Sequence, residues 1–227
     1  MSNKGLVIIA GVGTGLGQSL MATFQENGYT VIGLNRSLNE TLEAFDIRQC
    51  DLANAQQTKD IISALITEFG TPKVVVHNTA QLVIQPFLHT TTDDFQSCWQ
   101  SMTLSAVNLT HAVIPDMQEV NEGCFIVSGA TASIRGGANF SAFASAKFAL
   151  RGFTQSLARE FQTDGIHVVH AILDGIVDTE NSRKLHTLHP DSMMEPNDIA
   201  QMYLQLSQQP QSIWTHELDL RPSSEKF

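Results

Sequence analysis

A glycine-rich turn near the amino end constrains the fold of this chain more than any other feature. Residues 10–17 read Ala-Gly-Val-Gly-Thr-Gly-Leu-Gly, directly after the apolar run Leu6–Ile9 and directly before a stretch with helical spacing. A strand that passes through glycines into a helix forms a cradle for phosphate, because the backbone approaches the charge closely and the helix start offers free N–H groups. The turn therefore predicts a dinucleotide site, although glycine-rich loops also form plain turns.

The spacing of the glycines favours one of two related patterns. The pattern G-x-G-x-x-G, begun at Gly11, fails because position 16 is leucine, whereas G-x-x-x-G-x-G fits Gly11, Gly15 and Gly17. The predicted contacts of the turn with a nucleotide are Gly11, Gly13, Thr14, Gly15, Leu16 and Gly17.

Strand-like and helix-like segments alternate along the whole chain. Strands are predicted at 6–10, 30–34, 47–50, 74–77, 124–128, 166–172 and 213–220, and helices at 15–27, 38–45, 55–69, 92–118, 139–162 and 196–207. Continuously apolar strands separated by helices are typical of a parallel sheet that is covered on both faces. Right-handed crossovers between such strands then give a doubly wound sheet. We therefore predict an α/β fold, a doubly wound, Rossmann-like sheet of seven parallel strands in a single domain, 1–227.

Composition limits the classes of function. The 227 residues suit one large α/β domain, and a hydrophobic share of 42% is enough for a core. A net charge of −10 argues against nucleic-acid binding, which needs clustered Lys and Arg. We expect Cys50, Cys98 and Cys124 to be buried, reduced thiols, and we expect no metal site. Without a signal peptide or a membrane-spanning run, a cytoplasmic location is expected.

The end of the second strand bears on the choice of nucleotide. NAD-dependent enzymes usually carry an acidic residue there, which binds the ribose 2′-hydroxyl. Here the strand leads into Asn35, Arg36 and Ser37, with no acid in reach. Because a guanidinium binds a 2′-phosphate through paired hydrogen bonds, Arg36, helped by Asn35 or Ser37, favours NADP over NAD. The alternative is a solvated surface arginine.

Polar residues also follow the third and fourth strands, at the edge where such sheets bind ligands. Asp51, which precedes Leu52, is placed to accept a hydrogen bond from an adenine amino group, and capping of the next helix explains it equally well. Asn78 is placed either to contact the adenosine ribose or to tie down its own loop.

Together these features resemble the short-chain dehydrogenase/reductase family over most of the chain. The similar segments, besides the glycine turn and Asp51-Leu52, are Asn78-Thr79-Ala80, Phe143-Ala-Ser-Ala-Lys147 and Asp174-Gly175-Ile-Val-Asp-Thr179. The family has Asn-Asn-Ala-Gly at the first of these and Pro-Gly-x-x-x-Thr at the third. The resemblance implies hydride transfer between a nicotinamide cofactor and a small carbonyl or alcohol. It adds Asn78, Thr79, Ala80, Lys147, Gly175 and Thr179 to the predicted cofactor contacts.

The resemblance breaks at the residues that carry the chemistry. Family members use Tyr-x-x-x-Lys, in which the tyrosine is the general acid/base and the lysine lowers its pKa and binds the nicotinamide ribose. Here Lys147 is present, but the tyrosine position is Phe143, and a phenyl ring cannot exchange a proton. The serine position is Ala130, and the expected asparagine falls on Met102.

Three nearby groups are candidates to replace the missing proton donor. Ser128 and Thr131 offer shifted hydroxyls on either side of Ala130. Asp174 replaces the family's proline beside the nicotinamide, and burial would raise the pKa of its carboxyl group. The favoured alternative is that Asp174 caps the following segment. Lys147 is then left with a structural role as a cation that binds ribose.

Subunit contacts are expected at the helix predicted at 139–162. Small side chains, which permit close packing, stand at Ala142, Ala144, Ser145, Ala146 and Ala149. In the family this helix and the preceding long one form the main dimer interface, so a homodimer or homotetramer is expected. Packing within one subunit is the alternative. Trp214 and Arg221 are further candidates for a contact between subunits, and segment 180–192 is expected to be a shortened substrate lid.

Two functions fit these observations. The first is an NAD(P)-dependent oxidoreductase that prefers NADP, acts on a small carbonyl or alcohol and has an atypical proton donor; the cradle, Arg36 and Lys147 support it. The second is a non-catalytic NADP-binding sensor or scaffold subunit, which the loss of three polar groups supports. The fold does not decide between them.

Overall fold

Seven parallel strands form one sheet in this computed structural model, which describes residues 3–38 and 40–225. The strands are β1 (Leu6–Ala10), β2 (Thr30–Asn35), β3 (Ile47–Gln49), β4 (Val74–His77), β5 (Gly123–Ser128), β6 (Ile166–Leu173) and β7 (Glu217–Leu220). Their order is β3-β2-β1-β4-β5-β6-β7, so the direction of winding reverses between β1 and β4. The predicted doubly wound, single-domain fold is confirmed.

Helices cover both faces of this sheet. The helices of the described chain are α1 (Leu16–Glu26), α2 (Ala55–Phe69), α3 (Thr92–Trp99), α4 (Ser105–Val120), α5 (Ser141–Phe161), α6 (Glu180–Leu185) and α7 (Pro196–Ser207). One apolar layer joins the sheet to α1 and α7, and a second joins its other face to α2, α4 and α5. Continuous apolar strands are what a sheet buried on both faces requires.

The long helix predicted at 92–118 is interrupted. Its first residue is Thr92, as predicted, and Thr91 is the N-cap in a capping box with Asp94. Residues Gln100–Leu104 then form a π-helical turn between α3 and α4. Such wider turns occur often at functional sites, and this one lies beside the carboxyl end of β4.

Two other predicted elements differ from the structure. The helix predicted at 38–45 is a 3₁₀ turn at Glu40–Leu42, with residue 39 outside the described part of the chain. The last strand starts at Glu217 and not at residue 213, because Trp214 leaves the sheet and stacks on His167. Within the described residues, no helix is both long and apolar enough to cross a membrane.

Candidate active site

A cleft of about 580 Å³ opens at the carboxyl ends of β1 to β4, where the winding reverses. Sheets of this kind bind ligands at that point. Most of the predicted cofactor residues line the cleft: Gly11, Gly13, Thr14, Gly15, Leu16, Gly17, Asn35, Arg36, Asp51, Leu52, Asn78, Thr79, Ala80 and Thr179. The predicted contacts Ser37, Gly175 and Lys147 lie outside this lining.

The glycines of the turn serve different purposes. Gly11 has a φ of +92°, and a Cβ there would lie 2.8 Å from the Asn78 carbonyl oxygen. A Cβ on Gly17 would lie 2.7 Å from the Val12 Cα, so both positions require glycine within the folded chain itself. A Cβ on Gly13 would meet no protein atom within 4 Å. Gly13 therefore borders open space in the cleft.

The start of α1 suits a phosphate group. Gly15 is the N-cap of α1 and supplies no side-chain cap. The Gln18 N–H donates to the Gly13 carbonyl oxygen at 3.0 Å, and within the described chain no hydrogen bond engages the N–H groups of Leu16 and Gly17. The Thr179 methyl group packs against Gly15 from the segment after β6. Free amides, the helix dipole and open space at Gly13 fit the pyrophosphate of a dinucleotide.

Two asparagine amides hold the turn in place. The Asn35 Nδ2 donates to the Val12 carbonyl oxygen at 3.0 Å, and the Asn78 Nδ2 donates to the Gly11 carbonyl oxygen at 3.0 Å. Asn78 thus ties down its neighbourhood, as one of the two interpretations of the sequence proposed.

The interpretation of Asp51 as a helix cap is wrong. Asn54 caps α2 by accepting a hydrogen bond from the Gln57 backbone N–H. The Asp51 Oδ1 accepts one from the Ala53 N–H at 3.1 Å and forms a local Asx turn.

Arg36 lines the cleft directly after the end of β2. It is exposed, and no ion pair or hydrogen bond engages its guanidinium within the described part of the chain. Only its backbone carbonyl oxygen is used, by the Gln49 Nε2 at 2.9 Å. The guanidinium is therefore available to a ligand. Ser37 is exposed beside it.

Lys147 is buried at the carboxyl end of β5. Its Nζ donates to the Ser128 carbonyl oxygen at 2.8 Å, and burial lowers its pKa to about 8. The Phe143 ring centroid lies 5.8 Å from Nζ, one helical turn away on α5. Among the described residues no carboxylate forms an ion pair with Lys147.

A buried histidine network beside Lys147 was missed by the sequence interpretation. The Thr79 and Ser105 hydroxyls both donate to the Ser101 carbonyl oxygen, at 2.5 and 2.6 Å, within the π-helical turn. Both hydroxyl oxygens therefore accept from the His77 Nε2, at 3.0 and 2.8 Å. Burial, and secondly the charge of Lys147, lower the pKa of His77 to about 3. His77 is thus a neutral imidazole with a defined tautomer.

His170 mirrors His77 on the other side of β5. Its register partner is Val127, which is also the partner of His77, so the two imidazoles flank β5 on the face that α5 covers. Burial, and then Lys147, lower the pKa of His170 to about 3 as well. The sequence did not reveal that His77 and His170 flank β5, because the order of strands in the sheet is not visible in the spacing of the histidines.

The positions of the family's asparagine and serine, Met102 and Ala130, also have no polar side-chain group in the structure. Met102 is fully buried with Cys98, Ala142 and Ala146. At Ala130 the backbone N–H donates to the Ser133 Oγ at 3.1 Å. Neither position offers a polar side-chain atom.

Ser128 is not a substitute proton donor. Its hydroxyl lies 2.9 Å from the Tyr203 hydroxyl of α7, buried on the face of the sheet opposite α5. Only its backbone carbonyl faces Lys147. Alternation along β5 explains this, since the side chain of Val127 takes the α5 face.

The interpretation of Asp174 as a cap of the following segment is wrong. The fully buried carboxylate accepts hydrogen bonds from the Thr131 Oγ1 at 2.6 Å, from Arg135 at 3.3 Å and from Arg221 at 2.7 Å. Its partners come from other segments, so it caps nothing. Both of its oxygens act as acceptors, and the Thr131 hydroxyl proton is taken by this cluster.

The residues proposed for a subunit contact near the carboxyl end are engaged within the chain. Trp214 stacks on His167 with centroids 4.9 Å apart, and its Nε1 donates to the Gln209 carbonyl oxygen. Arg221 forms ion pairs with Asp174 and Asp219. They build the fold of this subunit.

The three cysteines are free and buried, as predicted. Burial raises the pKa of each thiol, which makes the reactive thiolate rarer. The described residues contain no group of three or more His, Cys, Asp or Glu side chains arranged to hold a metal ion.

Comparison with known proteins agrees with this geometry. Residues 5–189 match the family model described as short chain dehydrogenase. An uncharacterized oxidoreductase of Staphylococcus aureus is 21% identical over 225 residues, which covers 96% of each chain. A short-chain dehydrogenase structure from Rhodopseudomonas palustris is 31% identical, has a TM-score of 0.80 and covers 96% of this chain and 98% of that chain.

A third similar structure is that of a variant protein. A structure of a tyrosine-to-phenylalanine variant of ElxO with NADPH bound has a TM-score of 0.85 and 23% identity, and the match covers 96% of this chain and 97% of that one. At 23% identity, this similarity shows a shared fold and nothing further.

Proposed function

This chain belongs to the short-chain dehydrogenase family, and we propose that it is an NADP(H)-dependent oxidoreductase of small carbonyls or alcohols that works without the usual tyrosine. The observation that carries the proposal is the cleft at the winding reversal, which combines an uncovered helix start with an unengaged guanidinium. When bound, the nicotinamide would supply or accept the hydride.

The choice of NADP depends on Arg36. The guanidinium lies directly after β2, where neither Asn35 nor Ser37 is an acid that would bind a 2′-hydroxyl; the acid in this part of the cleft, Asp51, follows β3. The NADPH-bound ElxO variant supports the idea that a phenylalanine for a tyrosine is compatible with nucleotide binding in this fold.

Nucleotide titration tests the choice of cofactor. We expect NADPH to bind more tightly than NADH, and Arg36→Ala to weaken NADPH binding by about tenfold or more while NADH changes little. Arg159→Ala, at an exposed arginine of α5 remote from the cleft lining, is the control. An equal loss for both nucleotides would contradict the role of Arg36.

A non-catalytic NADP-binding sensor is the second candidate, favoured by the apolar side chains at Phe143, Ala130 and Met102. A panel of aldehydes and ketones, assayed by NADPH consumption, separates the two. Tight NADPH binding without consumption on any compound would favour the sensor. Consumption that is lost in Arg36→Ala at low NADPH would favour the enzyme.

We further propose that the chain forms a homodimer through the outer face of α5. Ala142, Ala144 and Ala146 are buried within the subunit, so the small residues on that side serve internal packing. The outward side of α5 instead presents Phe148, which is 44% exposed, among small residues. Trp99 of α3 is equally exposed.

A further inference from the structure

We propose that the ammonium group of Lys147 is itself the proton donor to the reacting oxygen, taking over the task of the missing phenol. The inference rests on the proposed oxidoreductase function and assigns its proton-transfer step. It rests on the hydrogen bond and neighbours of Lys147 at the carboxyl end of β5, and on the contacts that engage the substitute donors proposed from the sequence.

The competing groups are excluded by their contacts. The Ser128 hydroxyl points to Tyr203 on the far face of the sheet. The Thr131 hydroxyl donates to Asp174, whose two oxygens accept from guanidinium groups. His77 from β4 and His170 from β6 are both neutral, because burial keeps their pKa values near 3, so neither is the imidazolium that could act as a general acid at neutral pH.

Lys147 has what these groups lack. Its ammonium group carries three N–H bonds, and the Ser128 carbonyl oxygen takes one of them. No carboxylate of the described chain pairs with it, and the facing groups from β4, β5 and β6 are two neutral imidazoles and a carbonyl. The Phe143 ring 5.8 Å away offers no competing donor. Burial lowers the Lys147 pKa to about 8, which is near the value that suits acid–base exchange at neutral pH.

The step balances without a further reagent besides the nicotinamide dinucleotide. In the reducing direction a hydride adds to the carbonyl carbon, and the π electron pair of the C=O bond moves to oxygen. One N–H bond of Lys147 breaks as the O–H bond forms, either directly or through one water. The neutral amine then regains a proton from solvent. Alcohol oxidation runs the same path in reverse and needs the neutral amine.

Lys147→Arg separates this role from simple cation binding. Arginine keeps the positive charge but does not release its proton in proteins. We expect carbonyl reduction by the variant to fall by about 10²-fold or more, while its NADPH dissociation constant changes by only a few fold. Lys59→Arg, at an exposed residue of α2, is the matched control and should match the unsubstituted enzyme.

The wild-type pH profile gives a second measurement. Reduction should fall as the pH rises through about 8, and oxidation should rise over the same range. If Lys147→Arg keeps the full rate of reduction and the same pH profile, the proposed role of Lys147 is wrong, and the oxidoreductase proposal is unaffected. The absence of turnover on all compounds would instead overturn both.

A measurement that needs no turnover completes the test. Lysines labelled with ¹³C at Cε are titrated by NMR in the free and NADPH-bound protein, and the Lys147 signal is the one absent from Lys147→Arg. We expect a midpoint near 8 in the free protein. A midpoint at the ordinary lysine value of 10.5 would overturn the inference even if Lys147→Arg were inactive or poorly folded.

Discussion

Gly11 and Gly13 stand two positions apart in one turn, yet the chain needs them for different reasons. The backbone at Gly11 is left-handed and touches Asn78, whereas Gly13 faces open space. Gly11 is therefore needed for the folded backbone, whereas we expect Gly13 to be needed for the binding of a ligand in the cleft. A sequence pattern that counts glycines does not distinguish these roles.

Alanine substitutions at these two glycines should therefore affect different properties: the first should affect stability and the second nucleotide binding. We expect Gly11→Ala to lower the free energy of unfolding by about 1–3 kcal/mol or more, because its Cβ adds strain and a clash. Gly13→Ala should leave the free energy of unfolding within about 1 kcal/mol of the unsubstituted protein. Its NADPH dissociation constant should rise about tenfold, because the methyl group enters the cleft.

Urea unfolding and fluorescence titration with NADPH measure the two effects. Unchanged NADPH binding by Gly13→Ala would mean that the nucleotide does not lie against this turn. A fully stable Gly11→Ala would contradict the left-handed conformation.

Side-chain direction explains which site residues the sequence could identify. The glycine turn, Arg36 and Lys147 were predicted from their positions after a strand or on a helix, and all lie at the carboxyl edge of the sheet. The partners of Asp174 and Ser128 were not, because they come from residues 39 to 75 positions away along the chain. Spacing carries no information about such distant pairs.

At the scale of elements, an ion pair joins α5 to β7. Arg151 donates two hydrogen bonds to Glu217, at 2.9 and 2.8 Å, and Gln155 adds a third at 2.9 Å. Both charged side chains are less than a third exposed. Chiefly through the hydrogen bonds from Arg151, the pKa of Glu217 falls to about 2. The clamp holds the edge strand of the sheet to the helix that carries Lys147.

The depressed pKa of Glu217 gives a pH-dependent stability. The clamp contributes fully above the ordinary glutamate pKa of 4.5 and is lost as the pH falls towards 2, because the folded state holds the ionised form. We expect Glu217→Gln to lower the free energy of unfolding by about 1–2 kcal/mol at neutral pH. That difference should shrink as the pH falls below 4.5.

Urea unfolding across this pH range tests the clamp. Glu180→Gln is the control, since Glu180 forms a surface pair with Lys184 and should show no measurable change. A Glu217→Gln deficit that stays constant with pH would show that the loss comes from packing and not from charge.

The boundaries of the elements were predicted well where local chemistry sets them. The bounds of β1, α2, β4 and α7 agree with the sequence interpretation, because apolar runs, Gly70 and Pro196 mark them locally. The π-helical turn inside the helix predicted at 92–118 was missed. At this turn the Thr79 hydroxyl donates to the Ser101 carbonyl oxygen, a tertiary contact that sequence spacing does not reveal.

At the scale of the whole molecule, three exposed apolar side chains, Phe148, Trp99 and Ile213, lie on different elements. Phe148 and Trp99 lie on the helices that flank the Cys98–Met102 cluster. Ile213 lies in the turn that precedes β7 and is 64% exposed. A dimer through α5 would bury the first two residues and leave Ile213 in solvent.

Charge substitutions distinguish these surfaces. We expect the unsubstituted protein to sediment as a dimer and Phe148→Glu to raise the dimer dissociation constant by about 10²-fold, because the interface would have to bury an unpaired carboxylate. Ile213→Glu should remain dimeric. Sedimentation velocity over a range of protein concentrations measures both, and a dimeric Phe148→Glu would place the interface elsewhere.

Arg221, in the segment after β7, neutralises a carboxylate buried at the ligand-binding edge of the sheet. Proteolytic trimming ahead of this residue would leave the buried Asp174 carboxylate with Arg135, at 3.3 Å, as its remaining guanidinium partner, a costly loss for a folded protein. Affinity handles are therefore best attached at the opposite, amino-terminal side of the sheet.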